Sequence, residues 1–167
     1  WMIRKEDLDL SHLEYPEDYD LVFDWYAQGY QVKSIPATTL HWREHTERTS
    51  RNSEHYQQEA FFKLKLKRFL FIDKKEKLLV LWGTGIKGKL TASILLTHNI
   101  DFIWMDLKTG SQEINGQQLP VHKFTKVAQM SAFQLLIAVY PSDEEMVSLT
   151  AYLTSLKLTH GSHYWFL

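Results

Sequence analysis

The sequence predicts an α/β protein that contains a parallel sheet. In its second half, short apolar runs that end in glycine or aspartate alternate with segments of helical periodicity. The charged residues are denser in the first half: residues 1–75 hold 13 acidic and 12 basic residues, whereas the last 92 residues hold 7 of each. A charged run at 72–77 indicates a linker, so we predict one unit over 1–73 and a second over 77–167.

The composition narrows the classes of function. The chain has 167 residues, of which 44% are hydrophobic, with a net charge of −1 and no cysteine. A nucleic-acid partner is not expected, because there is no basic excess to neutralise phosphates. Disulfides and thiolate chemistry are excluded. No apolar run approaches the roughly 20 residues of a membrane span and no signal peptide is visible, so we expect no transmembrane segment and a cytoplasmic location. The apolar start at Trp1 suggests a fragment of a longer protein.

The elements of the second half follow from apolar runs and turn residues. A continuous apolar run predicts a strand at 78–82, buried on both faces, and a helix at 86–98 comes after it. A second strand over 100–105 ends at Asp106. Further along, the patterns predict a tight turn at Asn115-Gly116, a short strand at 119–121, a short helix at 126–130, a buried strand at 134–139 and a final strand at 163–167. Ser142 and Glu145 form a capping box that begins the last helix.

The first half contains fewer apolar runs. A helix is predicted over 17–28, with Gly29 just past its end. Strands are predicted at 30–35 and 38–42. A long amphipathic helix is predicted over 52–71, although the alternation at 62–67 would also fit a strand.

The segment Gly83-Thr84-Gly85-Ile86-Lys87-Gly88 is the most informative motif. It follows a buried strand and opens a helix, as a Gly-x-Gly-x-x-Gly nucleotide-binding turn requires. Gly83 allows the tight turn, Gly85 lets a phosphate approach the backbone, and Gly88 lets helix and strand pack closely. The helix start offers N–H donors and a positive dipole end to an anion, and Lys87 could add charge there. Asp106, 18 residues beyond the turn, is placed to accept the ribose hydroxyls.

This pattern predicts a small Rossmann-like domain with a nucleotide or nucleotide-sugar ligand at the Gly83–Gly88 turn. About 90 residues supply one mononucleotide half, so hydride transfer is disfavoured. Three alternatives stay open: a turn kept for packing alone, a non-catalytic docking module, and an enzyme that binds NAD or S-adenosylmethionine through Asp106.

In the first half, an acidic pair, Glu17-Asp18, opens the helix that ends at Gly29-Tyr30. A segment of apolar and basic residues at the beginning of the chain precedes this helix. After the helix come Ile35-Pro36 and then Trp42-Arg43-Glu44-His45. This succession resembles the C-terminal third of the catalytic domain of glycosyltransferase family 2, the inverting enzymes of GT-A fold. The resemblance covers roughly residues 1–70. The second half also resembles Rossmann-type appendages that follow such domains.

The resemblance implies a role for each matching residue. Asp18 takes the position of the base that deprotonates the acceptor hydroxyl, with Glu17 beside it. Trp42, Arg43 and His45 take the position of the stretch near the diphosphate, where the arginine fork suits phosphate. The implied parent protein transfers sugar from a nucleotide-sugar donor to a glycan acceptor, in cell-wall or polysaccharide biosynthesis.

The chain departs from the family where the donor and the metal would bind. The nucleotide-binding strands and the Asp-x-Asp metal motif are missing, and Asp7-Leu8-Asp9 is read as a surface loop because it lies too close to Asp18. We therefore expect the isolated chain to be inactive and a divalent metal only in the full-length parent. His41 and His45 have a metal-ligand spacing, but on a strand they would lie far apart, so no metal site is predicted. Exposed sheet edges favour a homo-oligomer.

Overall fold

The computed structural model describes residues 5–31, 33–39, 41, 53 and 56–167. The chain divides into two compact units, Trp1–Ile72 and Asp73–Leu167. The predicted α/β class is confirmed, because helices accompany a six-stranded, mostly parallel sheet. None of the helices in the described part of the chain is long and apolar enough to cross a bilayer.

The described part of the first unit contains two α-helices and a short 3₁₀ helix at Lys5–Asp7. Helix α1 spans Glu17–Ala27, helix α2 spans Gln58–Arg68, and a π-helical turn at Phe69–Asp73 continues α2. Acidic residues in the first turn of α1 favour its positive dipole end. Gly29, with φ of +79°, ends this helix in the left-handed region, as the sequence predicts.

The other predicted secondary-structure elements of the first unit need correction. The described residues of 30–35 and 38–42 form no strand, because no neighbouring strand pairs with them there. Helix α2 starts at Gln58 rather than at 52, since the backbone of Gln57 is extended. Residues 62–67 are helical, so the alternative strand is wrong. The alternating lysine and apolar residues lie in a helix, in which Phe62, Leu64 and Leu66 are buried.

Helices α1 and α2 are joined by a buried ion-pair cluster. Nε of Arg68 donates to Oδ1 of Asp20 at 2.5 Å, and its Nη1 lies 2.8 Å from Oδ1 of Asp24. Asp20 is only 1% exposed and also accepts the backbone N–H of Glu14. Burial acts to raise the pKa of Asp20, but the hydrogen bonds from Arg68 and Glu14 outweigh it and lower the pKa. The cluster therefore holds an ionised carboxylate in the interior of this unit.

The second unit is built on one sheet with the strand order β3-β4-β2-β1-β5-β6. Its strands are β1 (Leu78–Trp82), β2 (Phe102–Asp106), β3 (Gly110–Ile114), β4 (Gln117–Lys123), β5 (Phe133–Ile137) and β6 (Tyr164–Phe166). Neighbouring strands are parallel except for the β3–β4 hairpin. Strand β1 lies between β2 and β5. The chain first builds the sheet outward from β1 on the β2 side and then returns to add β5 on the other side. The strand order therefore reverses next to β1. Ligands of open α/β sheets bind at such points, outside the carboxyl ends of the strands.

Helices flank this sheet. Helix α3 spans Ile86–Thr97, a 3₁₀ helix spans Phe124–Gln129, and helix α4 spans Asp143–Ser155. The predicted capping box of α4 is confirmed: Ser142 and Glu145 bond each other's backbone N–H reciprocally. Side chains of α4 and of the 3₁₀ helix pack against Val80 and Trp82 on one face of the sheet.

The hairpin is the main difference from the predicted elements of the second unit. Asn115 and Gly116 have φ of 52° and 78°, which confirms the predicted tight turn. Strand β4 is longer than the predicted 119–121, and β3, which is Gly-Ser-Gln-Glu-Ile, was not predicted. A polar edge strand lacks the apolar run that marks the buried strands, so periodicity does not reveal it.

Candidate functional site

Gly83 and Gly88 have the structural roles that the motif predicts. Gly83 has φ of +120°, and a Cβ atom there would lie 2.6 Å from the carbonyl oxygen of Ala138. A Cβ atom at Gly88 would overlap the carbonyl oxygen of Gly83. Both positions therefore exclude any side chain, and the close packing of strand and helix is confirmed.

Gly85 is different from the other two glycines. It has φ of −70° and is the N-cap of α3, and a Cβ atom there would meet nothing within 4 Å. Any residue fits this backbone, and Ser, Asp or Asn would cap the helix better. The fold therefore gives no reason for glycine at position 85.

Strand β2 holds the glycine turn in place. The indole N–H of Trp104 donates to the carbonyl oxygen of Gly83 at 2.7 Å, and the N–H of Gly83 donates to Met105. Oδ2 of Asp106 accepts the backbone N–H of Thr84 at 2.6 Å and the Thr84 hydroxyl. The turn is therefore held by hydrogen bonds within the chain.

The structure gives Asp106 a contact that the motif does not predict. Its Oδ2 holds Thr84 and its Oδ1 accepts the N–H of Leu107 at 2.6 Å. A carboxylate has about four acceptor sites, so these bonds leave room for a further donor. Contact with a ribose stays a prediction.

Lys87 lies in the first turn of α3 but its ammonium group is already engaged. Nζ donates to the backbone oxygen of Leu167 at 2.8 Å and lies 3.7 Å from the centre of the Tyr140 ring. Burial lowers the pKa of Lys87. The predicted contact with phosphate is not tested by these bonds.

A pocket of about 530 Å³ opens at the carboxyl ends of the strands, next to the turn. Trp82 at the end of β1, Asp106 at the end of β2 and residues 139–141 after β5 line it. Phe124 and Tyr152 complete its aromatic wall; Phe124 stacks on Trp82 at 5.0 Å between ring centres. This volume is typical of small-molecule sites. Because Asp106 both lines the pocket and bonds Thr84, pocket and turn adjoin.

Sequence reasoning does not find this pocket. Its walls come from the ends of β1, β2 and β5, from the 3₁₀ helix and from α4. These segments are spread along the chain from Trp82 to Tyr152. The usable signal is positional: Trp82, Asp106 and Tyr140 each stand at or just beyond the end of a predicted parallel strand, and such ends meet at one edge of a sheet.

The predicted catalytic pair lies in the first unit. The Tyr56 hydroxyl donates to both carboxylate oxygens of Glu17, at 2.5 and 2.6 Å. This hydrogen bond raises the pKa of Tyr56 to about 12. Asp18 is exposed, and its Oδ1 accepts the N–H of Tyr19 at 3.0 Å. Trp42, Arg43 and His45 lie outside the described residues, so their predicted place near the diphosphate is not tested.

The part of the chain that the structure describes contains no group of three or more His, Asp or Glu residues that could hold a metal ion. Comparison of the chain with models of protein families, with curated proteins and with solved structures finds no match to any of them.

Proposed function

We propose that the second unit binds a nucleotide or nucleotide-sugar, with its phosphate at the start of α3 and its base in the adjoining pocket. Gly85 carries this proposal. Gly83 and Gly88 are explained by contacts within the chain, whereas Gly85 has open space where its Cβ would stand. A glycine there leaves the helix N–H groups accessible to a group from outside the chain.

The physical chemistry of the turn supports an anionic ligand. The first N–H groups of a helix have no partner within it and carry the positive end of the dipole. Asp106 takes the N–H of Thr84, one residue before the N-cap Gly85. The aromatic pocket beside the turn gives a flat heterocycle apolar surface to cover.

For the chain as a whole, we propose that it belongs to an inverting glycosyltransferase of GT-A type, with the second unit as a Rossmann-like appendage and a cytoplasmic location. The resemblance of 1–70 supports this, together with the place of Glu17 and Asp18 at the start of α1. Asp18 is exposed and its carboxylate has acceptor sites to spare, as a base for an acceptor hydroxyl needs.

Calorimetric titration of the chain with UDP, ADP, NAD and S-adenosylmethionine tests the ligand site. We expect a nucleoside diphosphate to bind, and Gly85→Ser to weaken it about tenfold or more, because the serine would accept the N–H bonds that the phosphate needs. Gly110→Ser is the matched control, since a Cβ there also meets nothing within 4 Å and the residue lies in edge strand β3.

The other outcomes separate the alternatives. Tight binding of NAD or S-adenosylmethionine that Asp106→Ala abolishes would favour an enzyme of that class. If none of the four compounds binds, the proposed ligand site is wrong. That result would favour docking of a protein at the exposed Leu107 and Tyr140. The transferase proposal has its own assay: sugar transfer by the longer parent with Asp18→Asn. Undiminished turnover would remove Asp18 from the mechanism.

A further inference from the structure

The irregular segment at 9–15, which leads into α1, is attached to that helix by polar contacts. The backbone N–H of Glu14 donates to Oδ2 of Asp20 at 2.9 Å. Closer to the start of the segment, Nε2 of His12 lies 2.8 Å from Oδ2 of Asp24. The segment therefore meets α1 at two carboxylates, and one of these contacts is made by a group that titrates near neutral pH.

The imidazole ring of His12 lies between two carboxylates. Its Nε2 faces Asp24 on α1, and its Nδ1 lies 3.5 Å from Oδ2 of Asp9. A neutral imidazole has one N–H donor and one lone pair, so in either tautomer a lone pair would face a carboxylate oxygen. Only the protonated ring presents an N–H to both sides. The geometry therefore fits a charged His12.

We propose that His12 is a pH-sensitive clamp, which holds the segment at 9–15 on α1 when its ring is charged and releases it when the ring loses its proton. The clamp is independent of the ligand proposed for the second unit. Because the segment runs directly into Glu17 and Asp18, its attachment fixes the chain that enters the candidate catalytic pair.

The charged groups that face His12 come from three parts of the first unit. Asp9 on its own segment and Asp24 on α1 favour the charged ring, whereas Arg68 on α2 opposes it. Nη1 of Arg68 lies 2.8 Å from Oδ1 of Asp24, so the two cations share this carboxylate through different oxygens. The hydrogen bond with Asp24 is the largest influence and raises the pKa of His12 above its usual value of 6.5.

The sign of the effect follows from this direction. Since the pKa of His12 is raised in the folded chain, its contribution is complete below 6.5 and is lost as the pH rises through the folded value. The ion pair of Glu14 with Lys67, which also holds the segment, keeps both its charges from about pH 6 to about pH 8. A loosening of the segment over this range is therefore expected from His12.

Two NMR measurements on the intact chain test the clamp. The ring signals of His12 give its pKa, which should exceed 6.5. The rate at which the Glu14 amide exchanges with solvent, corrected for its intrinsic pH dependence, should rise severalfold between about pH 6 and about pH 8. Asp9→Asn should lower the pKa of His12, because it removes one charge while keeping an oxygen for the N–H and hydroxyl of Ser11.

A matched pair of variants assigns the change to His12. His12→Gln carries no charge at any pH, so the corrected exchange of Glu14 should no longer depend on pH in this range. His98→Gln changes another exposed histidine, at the end of α3 in the second unit, and should leave the dependence as it is in the parent chain. A His12 pKa at or below 6.5, an exchange rate that does not rise with pH, or an equal rise in His12→Gln would each overturn the clamp.

Discussion

The two units of this chain hold their elements together by different means. In the first, helices α1 and α2 are joined through Arg68, which bonds both Asp20 and Asp24. In the second, apolar strands carry the core, and the closest approach of helix to strand is possible because Gly83 and Gly88 lack side chains. Charge specifies the first arrangement and backbone shape specifies the second.

This contrast shows which perturbations each unit should resist. A buried ion pair is sensitive to the loss of either partner and to protonation of its carboxylate. A glycine contact is insensitive to pH but tolerates no added atom. In the proposed ligand site, the second arrangement would fix where a ligand meets the start of α3.

The largest effect is expected from Arg68→Met. The change leaves the Asp20 carboxylate buried without its cation, and breaking a buried pair in this way costs about 3–5 kcal/mol of unfolding free energy. Urea denaturation measures the loss, and hydrogen exchange should place it in α1 and α2. Lys63→Met, which removes an exposed pair with Glu59, is the control and should change little. Equal stability of the two variants would contradict the role of charge.

Gly88→Ala should come next, at about 3 kcal/mol of destabilisation, because the new methyl group overlaps the Gly83 carbonyl oxygen and forces the backbone apart. Gly85→Ser is the matched change three residues away and should be neutral or slightly stabilising, as serine is a good N-cap. Thermal unfolding followed by circular dichroism compares them. A Gly88→Ala variant as stable as the parent would show that the turn is not tightly packed.

Acidification should act on the first unit through Asp20. Its pKa is lowered in the folded state, so its stabilising contribution is present above the unfolded value of about 3.9 and is lost as the pH falls through the folded value. Hydrogen exchange at several pH values below about 4 should show α1 losing protection. Asp20→Asn should flatten this dependence. An unchanged slope would mean that another carboxylate is responsible.

The smallest effect is expected at the pocket wall. The Tyr152 hydroxyl is buried and has no hydrogen-bond partner in the described part of the chain, and burial raises its pKa. Tyr152→Phe should therefore raise the unfolding free energy by about 1 kcal/mol. Tyr140→Phe changes an exposed hydroxyl and should have no measurable effect. A clear loss of stability in Tyr152→Phe would show that the hydroxyl has a partner.

The second unit could be predicted from the sequence because its signals are local. The apolar run of β1, the glycine turn, the Asn115-Gly116 turn and the capping box at Ser142 each specify their own backbone within a few residues. The buried Gln134 could not be predicted: in β5 it bonds the backbone of Asp73 and Lys75, about 60 residues away along the chain. Only the folded chain brings those groups together.

The ion-pair cluster of the first unit could not be predicted either, because its partners are also far apart along the chain. Asp20 and Arg68 are 48 residues apart, and either one alone reads as an ordinary surface charge on an amphipathic helix. The sequence indicated Glu17 and Asp18 instead, through a family resemblance. The pocket, too, is assembled from distant strand ends. Its lining residues come together only when the strand ends, the 3₁₀ helix and α4 are assembled.

The most direct measurement of the central claim is a ¹⁵N NMR titration of the chain with ADP. We expect the amide signals of Gly85, Ile86 and Lys87 to shift furthest, those of the pocket residues Leu107 and Tyr140 to shift less but over the same range of nucleotide concentration, and Gly85→Ser to remove these shifts. Shifts confined to other surfaces, or none up to millimolar ADP, would contradict a phosphate at the start of α3.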